Sequence, residues 1–399
     1  MHKIKEIRPV LLSAPYADPE TNQEVQIHLP SQHRSCGLVE ITLENGIKGL
    51  GEGYLAVFAP RVFEQLIYLM RPYLIGRDVM DFRKIYQDMQ LVIGYWSMQG
   101  AARHALSAVE IALQDCRARA LDMPVYRLLG GKGKGSLTLY GSGGDSISPE
   151  AMLGELRYLE KLGIQYFKIR AQNHQSAKAI WCMQQGAARR INIAIDMTQN
   201  LQDPGQSVSD VVKFVNTVEQ ASGQHLFFVE EVLGPTKVKD YPLLRQQLNV
   251  KVAGGEIVTT PQELIERIAS GTYDIVQPDA TVIGGISAVT EVINTARRYI
   301  TETVVHCWGG PVGMMANYHA ALAGGSTLVE WPMPQFVLRE AMVVDSWRIE
   351  KGQLWLSEAP GLGVELSPEV EQAFAFQEDA IYHCFARSRA MYQESQWLS

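Results

Sequence analysis

The sequence predicts an α/β protein: a (β/α)8-type barrel, TIM-like, preceded by a smaller α+β capping domain. Three observations carry this. From about residue 137 onward, short β-branched or aromatic runs alternate with helical segments, one after another. The first third has another rhythm, with strands and a hairpin followed by helical spacing. Between the two lies LLGGKGKGS (128–136), a Gly- and Lys-rich stretch without periodicity. The expected division is 1–133 for the capping domain, 134–356 for the barrel, and 357–399 for a C-terminal segment that packs back on the cap.

In the first part, LVEITLENGIKGLGEG reads as a hairpin: two alternating runs around Asn45-Gly46, a pair suited to a tight type I′ turn. Val62–Leu74 and Ala101–Ala120 have helical spacing. In the second of these, Ala105, Ala108, Ile111, Ala112 and Cys116 share one face. The stretch 128–136 superficially resembles a phosphate loop. Ser136 stands where that motif needs lysine and no strand leads into it, so it reads as a linker.

The βα rhythm then runs in order. SLTLY precedes a helix opening at Ser148-Pro149-Glu150, an N-cap with proline at the first helical position. IQYFKIR precedes a helix from about Ser176, INIAID one from about Ser207, and HLFFVEE a short one near Tyr241. VKVAGGE leads into Thr260-Pro-Gln-Glu263, a capping-box pattern. YDIVQPD precedes a helix starting near Ile286, TETVVH one around Met315–Ala323, and STLVEW comes last. Eight strands with seven helices between them close most naturally as a barrel, the eighth helix being short or replaced. An open doubly wound sheet is the alternative, but no GxGxxG follows a first strand. After about Ser357 a Gly-rich loop and a helix over 370–393 are expected.

Composition narrows the partners. The 399 residues are 46% hydrophobic, enough for a large core, and the net charge of −7 comes with no long basic run, which argues against nucleic acid. The N-terminal MHKIKEIRPVLLSAP lacks a signal-peptide apolar stretch and no segment reaches 18 apolar residues, so no membrane partner and a cytoplasmic location are expected. The five cysteines are scattered without a CxxC, which suggests neither a disulfide framework nor a thiolate zinc site.

Charged residues stand where the barrel strands should end: Asp196 after INIAI, Glu230 after LFFV, Glu256 after VAGG, Asp279 after DIVQP and His306 after TETVV. Parallel barrels gather all C-terminal strand ends on one rim, so these residues would meet in one pocket. Singly, an acid after a strand is as readily a cap for the next helix. Jointly, three oxygen donors on successive strands form the shell a hard divalent cation such as Mg²⁺ prefers; no His or Cys joins them, which disfavours zinc. Asp279 beside His306 would fix its tautomer and raise its basicity.

These residues carry a resemblance. KIR, IAID, FVEE, AGGE, QPDATVIGGI, VVH and LVEW, in that order over 137–331, resemble the enolase superfamily and, within it, the mandelate racemase subgroup. QPDATVIGGI and the order of the acids are specific; KxR and GGE alone are not. The first domain fits that family's capping domain. The resemblance implies Asp196, Glu230 and Glu256 as Mg²⁺ ligands, with the adjacent Glu231 behind them, and Asp279–His306 as the base. It implies Glu330 beside the substrate carboxylate, Lys168 and Arg170 as flanking cations, and a symmetric homo-oligomer.

The second strand departs from the subgroup, which usually carries KxK with the second lysine as a base. Arginine does not deprotonate at working pH, so Arg170 is a poor proton acceptor. A racemase needs an acid or base on both faces of the carbon, and this chain clearly offers one, His306. Dehydration needs α-proton removal and loss of a β-hydroxyl, which one histidine can serve as base and then acid. The expectation is a Mg²⁺-dependent dehydratase of an acid sugar, aldonate or aldarate, giving a 2-keto-3-deoxy acid. A racemase, epimerase or cycloisomerase using the same site is the alternative, with Lys168 as its second base; a non-catalytic sugar-acid binding protein is another.

The resemblance implies that two stretches of the capping domain cover the barrel mouth and contact substrate, Tyr16–Arg34 with His28, His33 and Arg34, and Gly51–Pro60 with Tyr54 and Phe58. Their polarity suits polyhydroxy acids better than aryl or N-acyl substrates, and Arg34 could hold a distal carboxylate, which would point to an aldarate. Thr198 or Asn200 could contact hydroxyls and Trp308 could wall the pocket. Thr198 stands where the family often has asparagine, and Val232 where it has proline, which predicts an altered loop after the fourth strand.

Overall fold

The computed structural model describes residues 2–131, 135–199, 202, 204–343, 346–384 and 393–398. The expected boundary at 133/134 and the candidate Asn200 lie outside them.

The capping part runs β1 (Ile4–Pro15), α1 (Gln23–His28), β2 (His33–Leu43), β3 (Lys48–Glu52), α2 (Pro60–Met70), α3 (Phe82–Gly94), α4 (Ala101–Ala120) and α5 (Val125–Leu128). β1, β2 and β3 form an antiparallel sheet with β2 in the middle. The Asn45-Gly46 hairpin is where the sequence places it, with Gly46 at a φ of 87°. α4 has the expected ends, and Ala105, Ala108, Ile111, Ala112 and Cys116 are all buried. β3 lies so close to α4 that a Cβ on Gly51 would sit 1.8 Å from the Ala108 carbonyl oxygen. α3 was not anticipated, although Ile85, Met89 and Ile93 bury a stripe at helical spacing.

The second part runs β4 (Ser136–Ser142), α6 (Pro149–Leu162), β5 (Tyr166–Arg170), α7 (Ser176–Arg189), β6 (Asn192–Asp196), α8 (Val208–Ser222), β7 (Phe228–Glu230), α9 (Tyr241–Gln247), β8 (Lys251–Gly254), α10 (Pro261–Ala269), β9 (Ile275–Val276), α11 (Ile286–Arg298), β10 (Glu302–Thr303), α12 (Pro311–Gly324), β11 (Leu328–Pro332) and α13 (Val337–Met342). β4 to β10 pair in sequence, all parallel, and β11 pairs β4. A parallel bridge between Val305 and Val329 joins the last two strands and closes the barrel. Tyr140, Ala194, Phe228, Ala253, Ile275 and Val304 pack together from different strands as an apolar interior cluster.

The helices after Ser148 and Ser207 start where the sequence places them, the first with the cap read there. The Ser148 and Ser207 side chains accept from the third helical N–H, and Ser207 completes a capping box with Asp210. At Thr260 only half the expected box forms: its hydroxyl accepts from the Glu263 N–H at 3.3 Å, while the Glu263 carboxylate turns to Arg267 at 2.6 Å. A charged partner one turn on outcompetes a neutral backbone donor.

Past α13 the chain forms a hairpin, β12 (Trp347–Glu350) and β13 (Gln353–Leu356), that adds to β4. The helix expected over 370–393 is corrected: α14 covers only Pro368–Ala373, and no helix follows in the described residues through Cys384. Residues 385–392 lie outside the described part. The helix stops because the chain meets β1: Leu12 bridges Ala375, and the Ser13 N–H donates to the Phe374 carbonyl. Arg8 also grips Glu371 at 2.7 Å. No helix among the described residues is long and apolar enough to cross a membrane.

Two buried cap carboxylates tie the parts together. Neither α11 nor α12 has a side-chain cap of its own, since Gly285 and Gly310 stand at their N-caps. Glu110 of α4 accepts from Ile286 N–H at 2.7 Å and Ser287 N–H at 3.1 Å. Glu52 of β3 accepts from Gly313 N–H at 2.7 Å and from Gly310 N–H. Each satisfies helix N-terminal donors that would otherwise be buried unpaired.

Candidate active site

Each rim residue stands where an apolar strand runs out. Asp196 ends β6, with Arg170 of β5 and Glu230 of β7 as its register partners on either side. Glu256 follows β8 after Gly254-Gly255. Asp279 and His306 follow β9 and β10, and Glu330 lies within β11. The chain leaves β6 and β7 through left-handed residues, Thr198 at a φ of 43° and Glu231 at 42°. Such backbone is uncommon outside glycine and clusters at functional sites. The turn at Glu231 sends its carboxylate outward to the Gly255 N–H at 2.7 Å, behind the rim as expected.

His306 and Asp279 form the expected pair, with the His306 Nδ1 2.8 Å from Asp279 Oδ2. The other Asp279 oxygen accepts from the Thr281 N–H, the Thr281 hydroxyl and the Asn317 amide at 2.8, 2.7 and 2.9 Å. Burial opposes its charge, but these bonds and His306 hold the carboxyl below the usual range. An ionised Asp279 places the imidazole proton on Nδ1 and leaves Nε2 toward the pocket, where Glu256 Oε2 lies 3.3 Å away. Burial disfavours imidazolium, yet Glu256, Glu330 and Asp279 outweigh it and push His306 up to about 10.

Lys168 stands across the rim as a buried ammonium. It contacts Glu230, reaches Glu330 Oε1 at 2.8 Å and lies 5.8 Å from the Tyr140 ring centre. Burial works against its charge, but Glu230 and Glu330 raise it above the usual lysine range. Glu330 also accepts from the Cys307 N–H at 2.6 Å; despite burial, Lys168 and His306 hold it down to about 2. Arg170 pairs with Asp145, approaches Asp196 Oδ2 at 3.5 Å, and stacks 4.3 Å from the Trp308 ring centre. That stack crosses the mouth from the second barrel strand to the loop after the seventh.

Acids outnumber cations here. Asp196, Glu230, Glu231, Glu256, Asp279 and Glu330 face Lys168, Arg170 and, when protonated, His306. Burial pushes Asp196 up to about 6, aided by Glu256 against Lys168 and Arg170. Burial pushes Glu230 up to about 8, aided by Asp196, Glu330 and Glu256. Such carboxylates are stabilised by an added positive charge, and an oxygen-only donor set on three neighbouring strands fits a hard divalent cation. Among the described residues no three acidic, imidazole or thiol groups converge on one point as they stand. Glu230 is held by Lys168 and Gln277, and Glu256 faces His306.

The expected substrate contacts are placed as follows. Tyr54 sits edge-on to His306, with ring centres 6.3 Å apart. The Thr198 hydroxyl accepts from Gln172 at 2.8 Å, and its N–H donates to Asp196 at 2.7 Å. Trp308 is buried and donates its indole N–H to Glu24 at 3.3 Å. Arg34 is buried against the Tyr16, Tyr54 and Phe336 rings at 5.0–5.7 Å and donates to the Trp308 carbonyl. Sequence reading missed Glu24, Asp145 and Gln277. Asp145 lies just past a strand end, which was a usable signal; Glu24 sits in a polar stretch with none.

Residues 151–370 match the family described as enolase C-terminal domain-like, and residues 17–130 match the mandelate racemase / muconate lactonizing enzyme N-terminal domain. The chain is 24% identical to the D-xylonate dehydratase of Haloferax volcanii, covering 86% of each chain. It is 25% identical to the D-galactonate dehydratase of Pectobacterium atrosepticum, covering 83% of this chain and 89% of that one. The structure of the 3,6-anhydro-D-galactonate cycloisomerase from Zobellia galactanivorans superposes with a TM-score of 0.82 at 23% identity, covering 93% of this chain and 99% of that one. By both halves, the chain belongs to the enolase superfamily, in its mandelate racemase and muconate lactonizing enzyme group.

Proposed function

We propose that this enzyme dehydrates a sugar acid to a 2-keto-3-deoxy acid. One observation carries the choice among reactions: among the described residues His306, held by Asp279, is the one imidazole paired with rim carboxylates. A cation held by Glu256 would offset the charge that now favours its protonated form, leaving Nε2 to accept a proton. The other candidates are fixed cations, Lys168 between Glu230 and Glu330 and Arg170 between Asp145 and Asp196. A proton removed from one face of the α-carbon has no matching base on the other, which disfavours racemisation.

In the proposed reaction the substrate carboxylate lies near Lys168 and Glu330. The His306 Nε2 takes the α-proton while Asp279 holds Nδ1–H and stabilises the imidazolium. The C–H electron pair becomes the Cα–Cβ double bond as the Cβ–O bond breaks. His306 returns its proton to the departing hydroxyl, which leaves as water, and the enol tautomerises to the keto acid. Asp196, Glu230 and Glu256 would hold Mg²⁺, which when bound supplies Lewis-acid stabilisation of charge on the substrate carboxylate. The dehydratase names of two relatives support the reading.

A panel of mono- and diacid sugars assayed for keto-acid formation with Mg²⁺ tests it. His306→Asn is expected to lower turnover by about 10³-fold or more while leaving metal affinity unchanged by calorimetry. Retained dehydration in that variant would exclude His306 as the base. The cycloisomerase neighbour favours a second reading, isomerisation at the same site. Solvent deuterium entering the α-position of recovered acid or an isomer, with no keto acid formed, would select it. Ligand binding without any α-exchange would mark a binding protein.

A further inference from the structure

Glu24 lies on α1, inside the stretch expected to cover the barrel mouth, and is only 8% exposed. Its Oε1 accepts the Trp308 indole N–H at 3.3 Å, while its Oε2 is buried without a hydrogen-bond partner among the described residues. A buried carboxylate oxygen without a donor is an exception in folded proteins and marks a place where a donor belongs. The surroundings limit what that donor can be. Arg170 stacks on the same indole and is matched by Asp145 and Asp196. Arg34 and His28 also lie near. Burial works against the Glu24 charge while Arg170, Arg34 and His28 favour it. Arg34, however, packs on aromatic rings and directs its guanidinium at the Trp308 carbonyl, and His28 turns its Nδ1 to the His383 carbonyl.

We propose that Glu24 sets specificity at the end of the substrate remote from the reacting carboxylate. It accepts a hydrogen bond from a terminal hydroxyl and disfavours a terminal carboxylate, so the substrate class is the aldonates rather than the aldarates. A monoacid sugar ends in CH2OH, whose O–H is the donor Oε2 lacks. A diacid sugar would instead bring a further negative charge beside Glu24 and Asp145, toward Arg170, Arg34 and His28, which are already directed at other acceptors. Selectivity then comes from repulsion of the wrong ligand as much as from attraction of the right one. The orientation, with the reacting carboxylate toward Lys168, rests on the dehydratase reading.

The test is binding of matched acids that differ at the far carbon, galactonate against galactarate and gluconate against glucarate, titrated calorimetrically into the full chain in Mg²⁺ buffer. The wild-type chain is expected to bind the monoacid of its preferred pair at least ten-fold more tightly. Glu24→Gln keeps the shape and removes the charge; it should cut that preference at least five-fold, mainly by improving diacid binding. A diacid bound as tightly by the wild type, an unchanged preference in a folded Glu24→Gln, or no binding of any of the four acids overturns the inference. The wild-type comparison decides alone if the variant does not fold. Keto acid measured in parallel separates the two readings. Acids bound with the expected preference but not dehydrated sink the reaction and leave Glu24 standing, whereas preferred dehydration of diacids sinks Glu24 alone.

Discussion

Lys168 shows how one side chain serves stability and chemistry together. Its ammonium lies against Glu230 and Glu330, both buried, and favours the charged form of each against the effect of burial. Removing one member of a buried charge cluster leaves the rest uncompensated, at roughly 3–5 kcal/mol. Lys168→Met should therefore unfold at lower guanidinium concentration and also lose keto-acid formation by about a hundredfold or more; a stable but inactive variant would contradict the structural half. Lys168 and Arg170 were legible only through the resemblance, whose second-strand motif they occupy. Asp196, Glu230, Glu256, Asp279 and His306 were legible because each follows a strand-like run whose end faces the rim. The partners that fix them were not. Gln277, just past β9, reaches Glu230 of β7 across the intervening β8, and Glu24 reaches Trp308 across 284 residues of sequence.

At the scale of elements, the closest packing lies where β3 crosses α4. Gly51 has no room for a methyl group against the Ala108 carbonyl, and the next residue is Glu52, which caps α12. Gly51→Ala should push β3 off α4 and drag Glu52 from the α12 N–H groups. The expected loss is about 3 kcal/mol, combining overpacking with unpaired buried donors, measurable as a lowered unfolding midpoint. The start of α12 lies shortly after His306, so turnover should fall in the same variant. Helices announced by local caps, such as those after Ser148 and Thr260, were readable because the signal is confined to four residues. Barrel strands such as β9 and β10, two residues each, were readable only from the repeated rhythm. The helix expected over 370–393 failed because hydrogen bonds to β1 outweigh a local preference, and a strand that far away in sequence leaves no trace in the segment itself.

Across the whole molecule, acid should loosen the junction of cap and barrel. His319 of α12 is buried, and its Nδ1 accepts the Tyr126 N–H of α5 at 3.1 Å. A proton on that nitrogen would face another proton. Burial accordingly pushes the imidazole down to about 4 from its ordinary 6.5. The unfolded chain takes up the proton below pH 6.5 and the folded chain does not until about 4. The contribution is complete above pH 6.5 and is lost as pH falls through that window. Guanidinium unfolding at pH 6.5 and 5.0 should show the wild type losing roughly 1.5 kcal/mol more over the interval than His319→Asn; equal losses would mean His319 titrates normally. His104, buried and likewise pushed down to about 4, adds the same sign in both proteins.

The carboxylates of Glu52 and Glu110 carry a consequence for anyone recombining enzymes of this architecture. The two barrel helices that follow Asp279 and His306 start with glycine and borrow their first acceptors from the other part of the chain. A chimera that keeps this barrel but takes its first part from a relative inherits two headless helices beside Asp279 and His306 unless the donor supplies acids at both places. Swapping only the loops between β1 and β2 or after β3 leaves those acids in place. Loop grafts are therefore the tolerant route and whole-domain exchange the fragile one.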